Sequence, residues 1–258
     1  MGRHLVFTLA APMGSFSIET AQSAGTARRS TELDPPKSAV AGLLAAACGR
    51  PREDIPGIAR SIQVSTATVK APFLAGRPDY HTITLGGRPE HLSGAARAST
   101  RFEELRRALS HPLNDGSVLS SRDYWTGGIW TVAIAAADEA IDRFAAALAR
   151  PKWVLVAGRR AFVLGLPPEP IVVMAESPVE AHRTYRRQAA GLTAMMHTWV
   201  GPDERSRIAN DLSYPGRPLL GREVTRRDVP LRASVDELRT FAARTVFISE
   251  ERLGGPHG

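Results

Sequence analysis

The residues best suited to chemistry lie at the start of a predicted helix, after a loop of small residues. Asp34 is an N-cap candidate, and the two prolines that follow it before Lys37 and Ser38 are typical of a first helical turn. Unpaired backbone N–H groups at a helix start, together with a lysine and a serine, favour a bound anion such as phosphate. The alternative is an ordinary strand-helix unit with a solvated lysine, and a lone helix start does not decide between the two.

The segment that precedes this helix start is a predicted strand followed by a polar loop, and these two elements determine its position. Leu5, Phe7 and Leu9 alternate with Val6, Thr8 and Ala10, which predicts a strand with one face against a core. The polar loop that follows carries Arg28 and Arg29. Apolar residues then recur at helical spacing over residues 39–47, which predicts a helix packed on the sheet. The strand therefore ends next to the candidate anion site.

Composition excludes several classes of protein. The chain has 258 residues, of which 43% are hydrophobic and 23% charged, as in globular proteins with a buried core. The sequence contains neither an apolar run long enough to span a bilayer nor a signal peptide, so we expect a cytoplasmic protein with no membrane partner. The single Cys48 excludes a disulfide framework and suits a reducing compartment.

The sequence also lacks the motifs of several kinds of catalytic or cofactor site. Its seven histidines are scattered, and no Cys/His or acidic cluster has the spacing of metal ligands. Neither a glycine-rich nucleotide loop nor a nucleophile elbow is present. We therefore expect no metal and no cofactor.

The charge balance favours a polyanionic partner. Net charge is +7, and only Lys37, Lys70 and Lys152 among the 33 basic residues are lysines. The planar arginine side chain suits phosphates and base edges, although a GC-rich genome would produce the same bias. Residues 150–244 hold 16 basic and 10 acidic side chains, so we expect the basic surface in the second half.

Two strand-helix-strand units follow one another along the chain. The first comprises the elements above, a short helix over 51–59 and a strand over 61–69. The second begins with alternation from Ile129, continues with a helix from Asp138 and ends with a candidate strand at Trp153–Val156. Two such units predict an α+β fold, a ferredoxin-like (RNA-recognition-like) βαββαβ domain over residues 1–157 with its helices on one face.

Two regions lie outside this repeating pattern. Residues 71–128 are too long for an ordinary connection, and we interpret them as a projecting arm, the alternative being a disordered loop. Residues 158–258 are rich in proline and glycine and form a β-rich, loop-rich C-terminal region, with candidate strands at 171–174, 194–200 and 222–229 and a helix at 235–243.

Six short blocks occur in the order seen in a known protein family. They are Leu9–Phe16, Pro36–Leu44, Asp79–Thr82, Ser121–Tyr124, Pro151 followed by Gly158-Arg159-Arg160, and Arg227–Pro230. In this order the chain resembles CasD, the fifth family of CRISPR-associated proteins in the RAMP superfamily, as it occurs in the type I-E effector complex Cascade.

The resemblance implies a non-catalytic RNA-binding subunit. Proteins similar to this one have a ferredoxin-like domain and a projecting thumb, here residues 71–128. They grip the 5′ handle of the CRISPR RNA and cap one end of the backbone filament. The implied partners are the crRNA, the Cascade backbone subunit and the large subunit, with target DNA contacted only indirectly.

The residue types that hold an RNA handle select a candidate set. Phosphates would be contacted by arginines in the first loop and beside Gly158 and by the lysine and serine at the helix start, and apolar or aromatic side chains would receive splayed bases. The candidate RNA-binding residues are Met13, Gly14, Ser15, Arg28, Arg29, Lys37, Ser38, His81, Arg122, Tyr124, Gly158, Arg159 and Arg160. Phe16 would add an apolar wall beside Met13.

Two other functions remain open from the sequence. A metal-independent endoribonuclease that processes precursor CRISPR RNA needs a base and a cation, which Tyr80, His81 and Lys70 could supply. The second alternative is a scaffold protein whose basic surface binds acidic proteins and not RNA. RNA binding that weakens with salt would distinguish an RNA-binding subunit from such a scaffold.

Overall fold

The computed structural model describes residues 1–17, 27–84, 117–190, 193, 205–218, 220–231 and 241–253. Its helices are α1 (Lys37–Cys48), α2 (Ile55–Ser61), α3 (Asp138–Ala149) and α4 (Pro178–Gln188), with a 3₁₀ turn at Arg52–Asp54. Its strands are β1 (Gly2–Gly14), β2 (Phe16–Ser17), β3 (Ala27–Arg29), β4 (Thr31–Glu32), β5 (Gln63–Lys70), β6 (Phe73–Leu74), β7 (Asp79–Thr84), β8 (Ser117–Arg122), β9 (Trp125–Ala135), β10 (Ile171–Ala175), β11 (Arg205–Asp211), β12 (Arg222–Pro230) and β13 (Phe241–Arg252).

A large sheet runs through both halves of the chain. Its spatial order is β10-β1-β9-β5-β11-β13-β12, each neighbouring pair is antiparallel, and β6 pairs with β9 beside this path. Strand β10 pairs with β1 and β11 pairs with β5, so the sheet continues from the region 1–157 into the region 158–258. The combination of this antiparallel sheet with helices confirms the α+β class.

One face of the sheet packs against α1 and α3. Leu5, Phe7 and Leu9 of β1 are buried there, which confirms the prediction of a strand with alternate residues in a core. The largest buried side chains of this core are Leu5, Phe7, Leu9, Leu44, Ile62, Trp125, Trp130, Ile134, Ile141 and Phe144. Burial of each such side chain stabilises the fold by about 1.5–3 kcal/mol, so this layer contributes most to holding the sheet and helices together.

The helices α1 and α3 of the domain predicted over residues 1–157 share one face as expected, and α4, which lies beyond that domain, covers the opposite face. Val6 belongs to a second apolar cluster that includes Tyr185 of α4. His182, also on α4, is fully buried, and its ring nitrogens lie 2.9 Å from Ser65 Oγ and 2.8 Å from Thr131 Oγ1. Both faces of the sheet are therefore covered, and His182 is hydrogen-bonded to two side chains of the sheet on the second face.

The strand predicted at Trp153–Val156 is not a strand of the sheet. Trp153 is 48% exposed and Val154 is 68% exposed, and only Leu155 of this short apolar run is buried. Val156 forms one isolated bridge to Val163. Residues 155–164 are therefore a small hairpin, called the tip hairpin below, and the strand that follows α3 in the sheet is β10.

The remaining predictions for the C-terminal region have mixed outcomes. Strand β12 confirms the strand predicted at 222–229. Phe241–Ala243 begin strand β13, so the end of the helix predicted at 235–243 is wrong, and the rest of that helix lies outside the described residues. The strand predicted at 194–200 also lies outside them. Among the helices of the described residues, none combines the length and the apolar character needed to cross a bilayer.

The two ends of the predicted arm form a separate small sheet. Strand β7 pairs antiparallel with β8, and β8 pairs in parallel with β3 from the first loop. Residues 85–116 lie outside the described residues. The base of the arm is thus built from three stretches that are far apart in sequence, and this juxtaposition positions the candidate site.

Candidate nucleic-acid interface

Three charged residues form a row across the small sheet. Arg29 of β3 is paired in register with Arg122 of β8, and Arg122 is paired with Asp79 of β7. Because side chains of directly opposed residues lie on the same face of a sheet, the three share one face. Tyr80 follows Asp79 in the strand and is 71% exposed, so its side chain lies on the other face.

Arg159 of the tip hairpin joins this row. Its guanidinium donates to Asp79 Oδ2 at 2.8 Å. The same guanidinium lies over the ring of Phe162, 5.4 Å from the centroid, and that ring is 6.2 Å from the ring of Tyr124. We call Arg29, Asp79, Arg122 and Arg159 the arm-base cluster, which holds three positive charges and one negative charge.

The electrostatics of the arm-base cluster centre on Arg122. Burial lowers its pKa, the charges of Arg29 and Arg159 lower it further, and Asp79 acts in the opposite direction. The Nε atom of Arg122 is buried and has no hydrogen-bond partner within the part of the chain that the structure describes. A second anion beside Arg122 would relieve the repulsion among the arginines, so the cluster has the properties of an anion-binding site.

The tip hairpin is held against the end of β1 by Ser15 and Gly158. The backbone N–H of Ser15 donates to the Ala157 carbonyl at 3.2 Å, and Ser15 Oγ donates to the Asp123 carbonyl at 2.9 Å. Gly158 has a φ of 82°, and a Cβ atom there would lie 2.0 Å from the Ser15 carbonyl oxygen. Only glycine fits this position without displacing the hairpin that carries Arg159.

The structure therefore brings together several predicted residues that are distant in sequence. Gly158 and Arg160 are exposed, whereas Met13 and Tyr124 are half-buried at the same end of the molecule. Gly14 and Ser15 are buried, and a Cβ atom on Gly14 would lie 2.1 Å from the Trp125 ring. These two residues thus have packing roles at the edge of the arm-base cluster.

Lys37 and Ser38 occupy a different environment from the one expected. The Lys37 ammonium is buried and lies 3.0 Å from Asp211 Oδ2, and the Lys37 backbone N–H donates to Asp228 Oδ2 at 2.9 Å. The anion at this helix start is therefore the protein's own Asp228 carboxylate. Ser38 is half-buried beside it.

A buried charge network surrounds that helix start. Arg244 donates from Nε and a terminal nitrogen to Asp228 at 2.6 and 2.7 Å, and it also contacts Asp211. Asp34 does not cap the helix. Its carboxylate instead pairs with Arg226 and Arg207, each at 2.9 Å. Several arginines counted toward a basic surface in the second half of the chain are thus neutralised inside the fold.

Four other predicted residues are not part of the arm-base cluster as described. Arg28 and His81 are placed on β3 and β7 by their backbones, and their side chains lie outside the described part of the molecule. Lys70 lies at the end of β5 in the large sheet, opposite Ile129, whereas Tyr80 belongs to the small sheet.

Asp79 is the one member of the arm-base cluster that the sequence-based prediction of the site omits. Asp79 is the first residue of the block Asp79–Thr82, so the family resemblance does point to this segment. The residue itself was not selected, because a carboxylate is not the residue type expected at a phosphate site. Its role depends on the pairing of β7 with β8 and on Arg159, about 80 residues away.

Comparisons with known proteins agree with this architecture. A family model described as "CRISPR-associated protein (Cas_Cas5)" matches residues 4–246. A chain of a solved structure described as "CRISPR RNA-guided surveillance complex" is similar at 22% identity with a TM-score of 0.63, covering 97% of this chain and 91% of that one. Another, described as "Crystal structure of Cas protein", is similar at 19% identity with a TM-score of 0.58, covering 98% and 99%.

The two structural similarities concern the fold, because both identities are low. No curated protein matches this sequence. The family model spans nearly the whole of the large sheet, from the start of β1 into β13, together with the blocks described above. On this match, the chain belongs to the Cas5 family of CRISPR-associated proteins.

Proposed function

We propose that this chain is a non-catalytic, CasD-type RNA-binding subunit of a type I-E Cascade complex. In this role it grips the 5′ handle of the crRNA and caps the backbone filament. The observation that carries the proposal is the arm-base cluster, in which Arg122 lies between Arg29 and Asp79 while Arg159 pairs with Asp79, next to the exposed Gly158 and Arg160.

Strand order supports the RNA-binding fold. Strands β1, β5, β9 and β10 lie side by side in the order β10-β1-β9-β5, and α1 and α3 pack on one face of them. In chain order this is the arrangement 4-1-3-2 of a ferredoxin-like βαββαβ domain. We propose that the small sheet at the base of residues 71–128 is the foundation of the thumb.

The residues proposed to contact RNA phosphates are the arginines of the arm-base cluster and of its rim. Arg29, Arg122 and Arg159 supply charge, Arg160 is exposed beside them, and the adjacent aromatic Tyr124 would receive a base. We leave Lys37 out of this set because its ammonium already pairs with Asp211 inside the fold.

The partners proposed are the crRNA, the Cascade backbone subunit and the large subunit. Family membership and the similarity to a chain from a CRISPR RNA-guided surveillance complex support these partners. Target DNA would be met through the assembled complex, not by this chain alone.

The experiment measures binding of fluorescently labelled repeat RNA to the full chain at several salt concentrations. Arg122→Gln and Arg159→Gln should each weaken binding about tenfold, because each removes a charge-assisted contact to phosphate. Each should also reduce the slope of log affinity against log salt by about 0.7, the expectation for one phosphate of a single strand.

Arg187→Gln is the matched control. Arg187 is exposed on α4, where it contacts Thr184, and its removal changes net charge by the same amount. It should leave affinity almost unchanged. Affinity and salt slope equal to the parent in both cluster variants would contradict the proposed contact surface, and a parent slope near zero would instead favour a scaffold without RNA.

A further inference from the structure

The arm-base cluster contains a carboxylate where only cations are needed to hold a phosphate. Asp79 lies between Arg122, its partner across β7 and β8, and Arg159, whose guanidinium donates to Asp79 Oδ2 at 2.8 Å. The Asp79 side chain is 38% exposed, whereas that of Arg159 is 17% exposed. The carboxylate is therefore the more open of the two groups.

This arrangement has opposite consequences for the two kinds of nucleic acid. A phosphate that approaches Arg122 and Arg159 also approaches the negative charge of Asp79, which costs affinity. A DNA backbone offers no hydrogen-bond donor to offset that repulsion. Ribose carries a 2′-hydroxyl, which can donate to a carboxylate, and it is the group by which proteins distinguish RNA from DNA.

Asp79 has the capacity and the position for such a contact. A carboxylate can accept about four hydrogen bonds, and the Asp79 side chain remains 38% exposed while it pairs with Arg159, so a nucleotide can reach it. The 2′-hydroxyl and the 3′-phosphate of one nucleotide are on neighbouring ribose carbons. A guanidinium and a carboxylate in direct contact, as in Arg159 and Asp79, can therefore meet both groups of the same nucleotide.

We infer that Asp79 determines the preference of this site for RNA by accepting a hydrogen bond from a ribose 2′-hydroxyl while Arg122 and Arg159 hold the adjacent phosphate. Arg159, stacked on Phe162, fixes the position of the carboxylate. The inference rests on the proposed RNA-binding function and adds a specificity-determining residue to it.

The test compares the affinity for repeat RNA with the affinity for a 2′-deoxy oligonucleotide of the same base sequence. That oligonucleotide contains uracil and not thymine, so the two ligands differ only in the 2′-hydroxyl groups. The parent should bind the RNA more tightly. Asp79→Ala should reduce the ratio of RNA to DNA affinity about tenfold, the size of one hydrogen bond to a charged group, with DNA affinity rising. A merely structural role for Asp79 would lower both affinities equally and leave the ratio unchanged, which would overturn the inference.

Asp142→Ala is the matched control for the lost negative charge. Asp142 is an exposed residue of α3 that pairs with Arg3, near the opposite end of β1 from Ser15. Its removal should raise RNA and DNA affinity by the same small factor. A change in the ratio as large as that of Asp79→Ala would mean that net charge, and not the position of Asp79, sets the preference, which would overturn the inference.

A second measurement does not depend on the folding of a variant. Repeat RNAs that carry one 2′-deoxy nucleotide at successive positions are titrated with the parent chain. At least one position should weaken binding by the parent several-fold, an outcome that needs no variant. The same substitution should have no effect on Asp79→Ala, whose side chain cannot accept a hydrogen bond. If no single position matters, the inference fails while RNA binding stands. If the parent binds neither RNA nor DNA, the proposed function fails with it.

Discussion

The backbone N–H of Lys37, the first residue of α1, donates to the carboxylate of Asp228 at 2.9 Å, although the two residues are 191 positions apart. Asp228 also receives two hydrogen bonds from Arg244, which in turn contacts Asp211. The first helix is thereby attached to β11, β12 and β13. The anion that a helix start favours comes from the C-terminal strands of the same chain.

Removal of Asp228 should destabilise the whole sheet. In Asp228→Ala, Arg244 loses two hydrogen bonds and the start of α1 loses its acceptor, so an uncompensated charge remains buried. We expect a loss of about 3–5 kcal/mol in the free energy of unfolding, measured by urea denaturation. Asp142→Ala removes an exposed carboxylate and should have little effect. Equal stability of the two variants would contradict the structural role of Asp228.

Gly158→Ala should weaken both the fold and RNA binding. The residue has a φ of 82°, and the new Cβ would lie 2.0 Å from the Ser15 carbonyl oxygen. We expect a loss of about 2 kcal/mol in unfolding free energy from the left-handed conformation and the displaced hairpin. RNA affinity should fall as well, because Arg159 moves with the hairpin.

Gly57→Ala provides the control for Gly158→Ala. Gly57 lies in α2, and a Cβ atom there has nothing within 4 Å. Alanine is the better helix former by up to about 1 kcal/mol, so this variant should be as stable as the parent or more stable. If Gly158→Ala behaves in the same way in thermal unfolding, the Ser15–Gly158 contact does not hold the tip hairpin.

Because of His4, the free energy of unfolding should fall as the pH drops below the ordinary pKa of histidine. His4 is 2% exposed, and its ring nitrogens lie 2.9 Å from the Tyr214 hydroxyl and 3.2 Å from the Ala175 carbonyl oxygen. Burial lowers its pKa below the ordinary value of 6.5. The unfolded chain therefore binds a proton at a pH where folded His4 stays neutral, and stability is lost over that interval.

His4→Gln isolates this pH dependence, because glutamine is neutral throughout. Urea denaturation of both proteins from pH 7 to pH 5 should show a stability difference that shrinks as the pH falls. The parent loses the stability that depends on neutral His4, whereas the variant does not. Parallel curves for the two proteins over this range would contradict the lowered pKa.

Repeat RNA should stay intact when it is incubated with the purified chain in EDTA. The proposed non-catalytic role predicts no site-specific product, measured on a denaturing gel. His81→Ala is the control, since His81 is the candidate base of the endoribonuclease alternative. Specific cleavage that disappears in this variant would show that the chain is an enzyme.

Local patterns predicted the elements whose side chains have a regular period. The alternation at Leu5, Phe7 and Leu9 and the helical spacing over 39–47 correspond to β1 and α1 because hydrophobic burial imposes those periods. The apolar run at Trp153–Val156 was misleading, since a few apolar residues in the tip hairpin have the same composition as a short strand. Only long-range pairing distinguishes these cases.

The candidate site was predictable by residue type but not by partner. Arg159 was selected as a basic residue beside Gly158 and Arg122 as part of the block Ser121–Tyr124, and the two arginines do lie close together at the base of the arm. Lys37 was selected because a helix start favours an anion, yet the anions beside it are the carboxylates of Asp211 and Asp228. Ion pairs of this kind cannot be predicted from local sequence patterns, because the aspartates lie about 170 to 190 residues away from Lys37.

The RNA that the chain carries in its own host tests the proposed function most directly. The full chain is tagged, recovered under native conditions, and its bound RNA and proteins are identified by sequencing and mass spectrometry. We expect RNA enriched in repeat-derived 5′ ends together with other Cascade subunits, and a lower RNA yield from the Arg122→Gln, Arg159→Gln double variant than from Arg187→Gln. Recovery of the chain free of both RNA and other CRISPR-associated proteins would contradict the proposal.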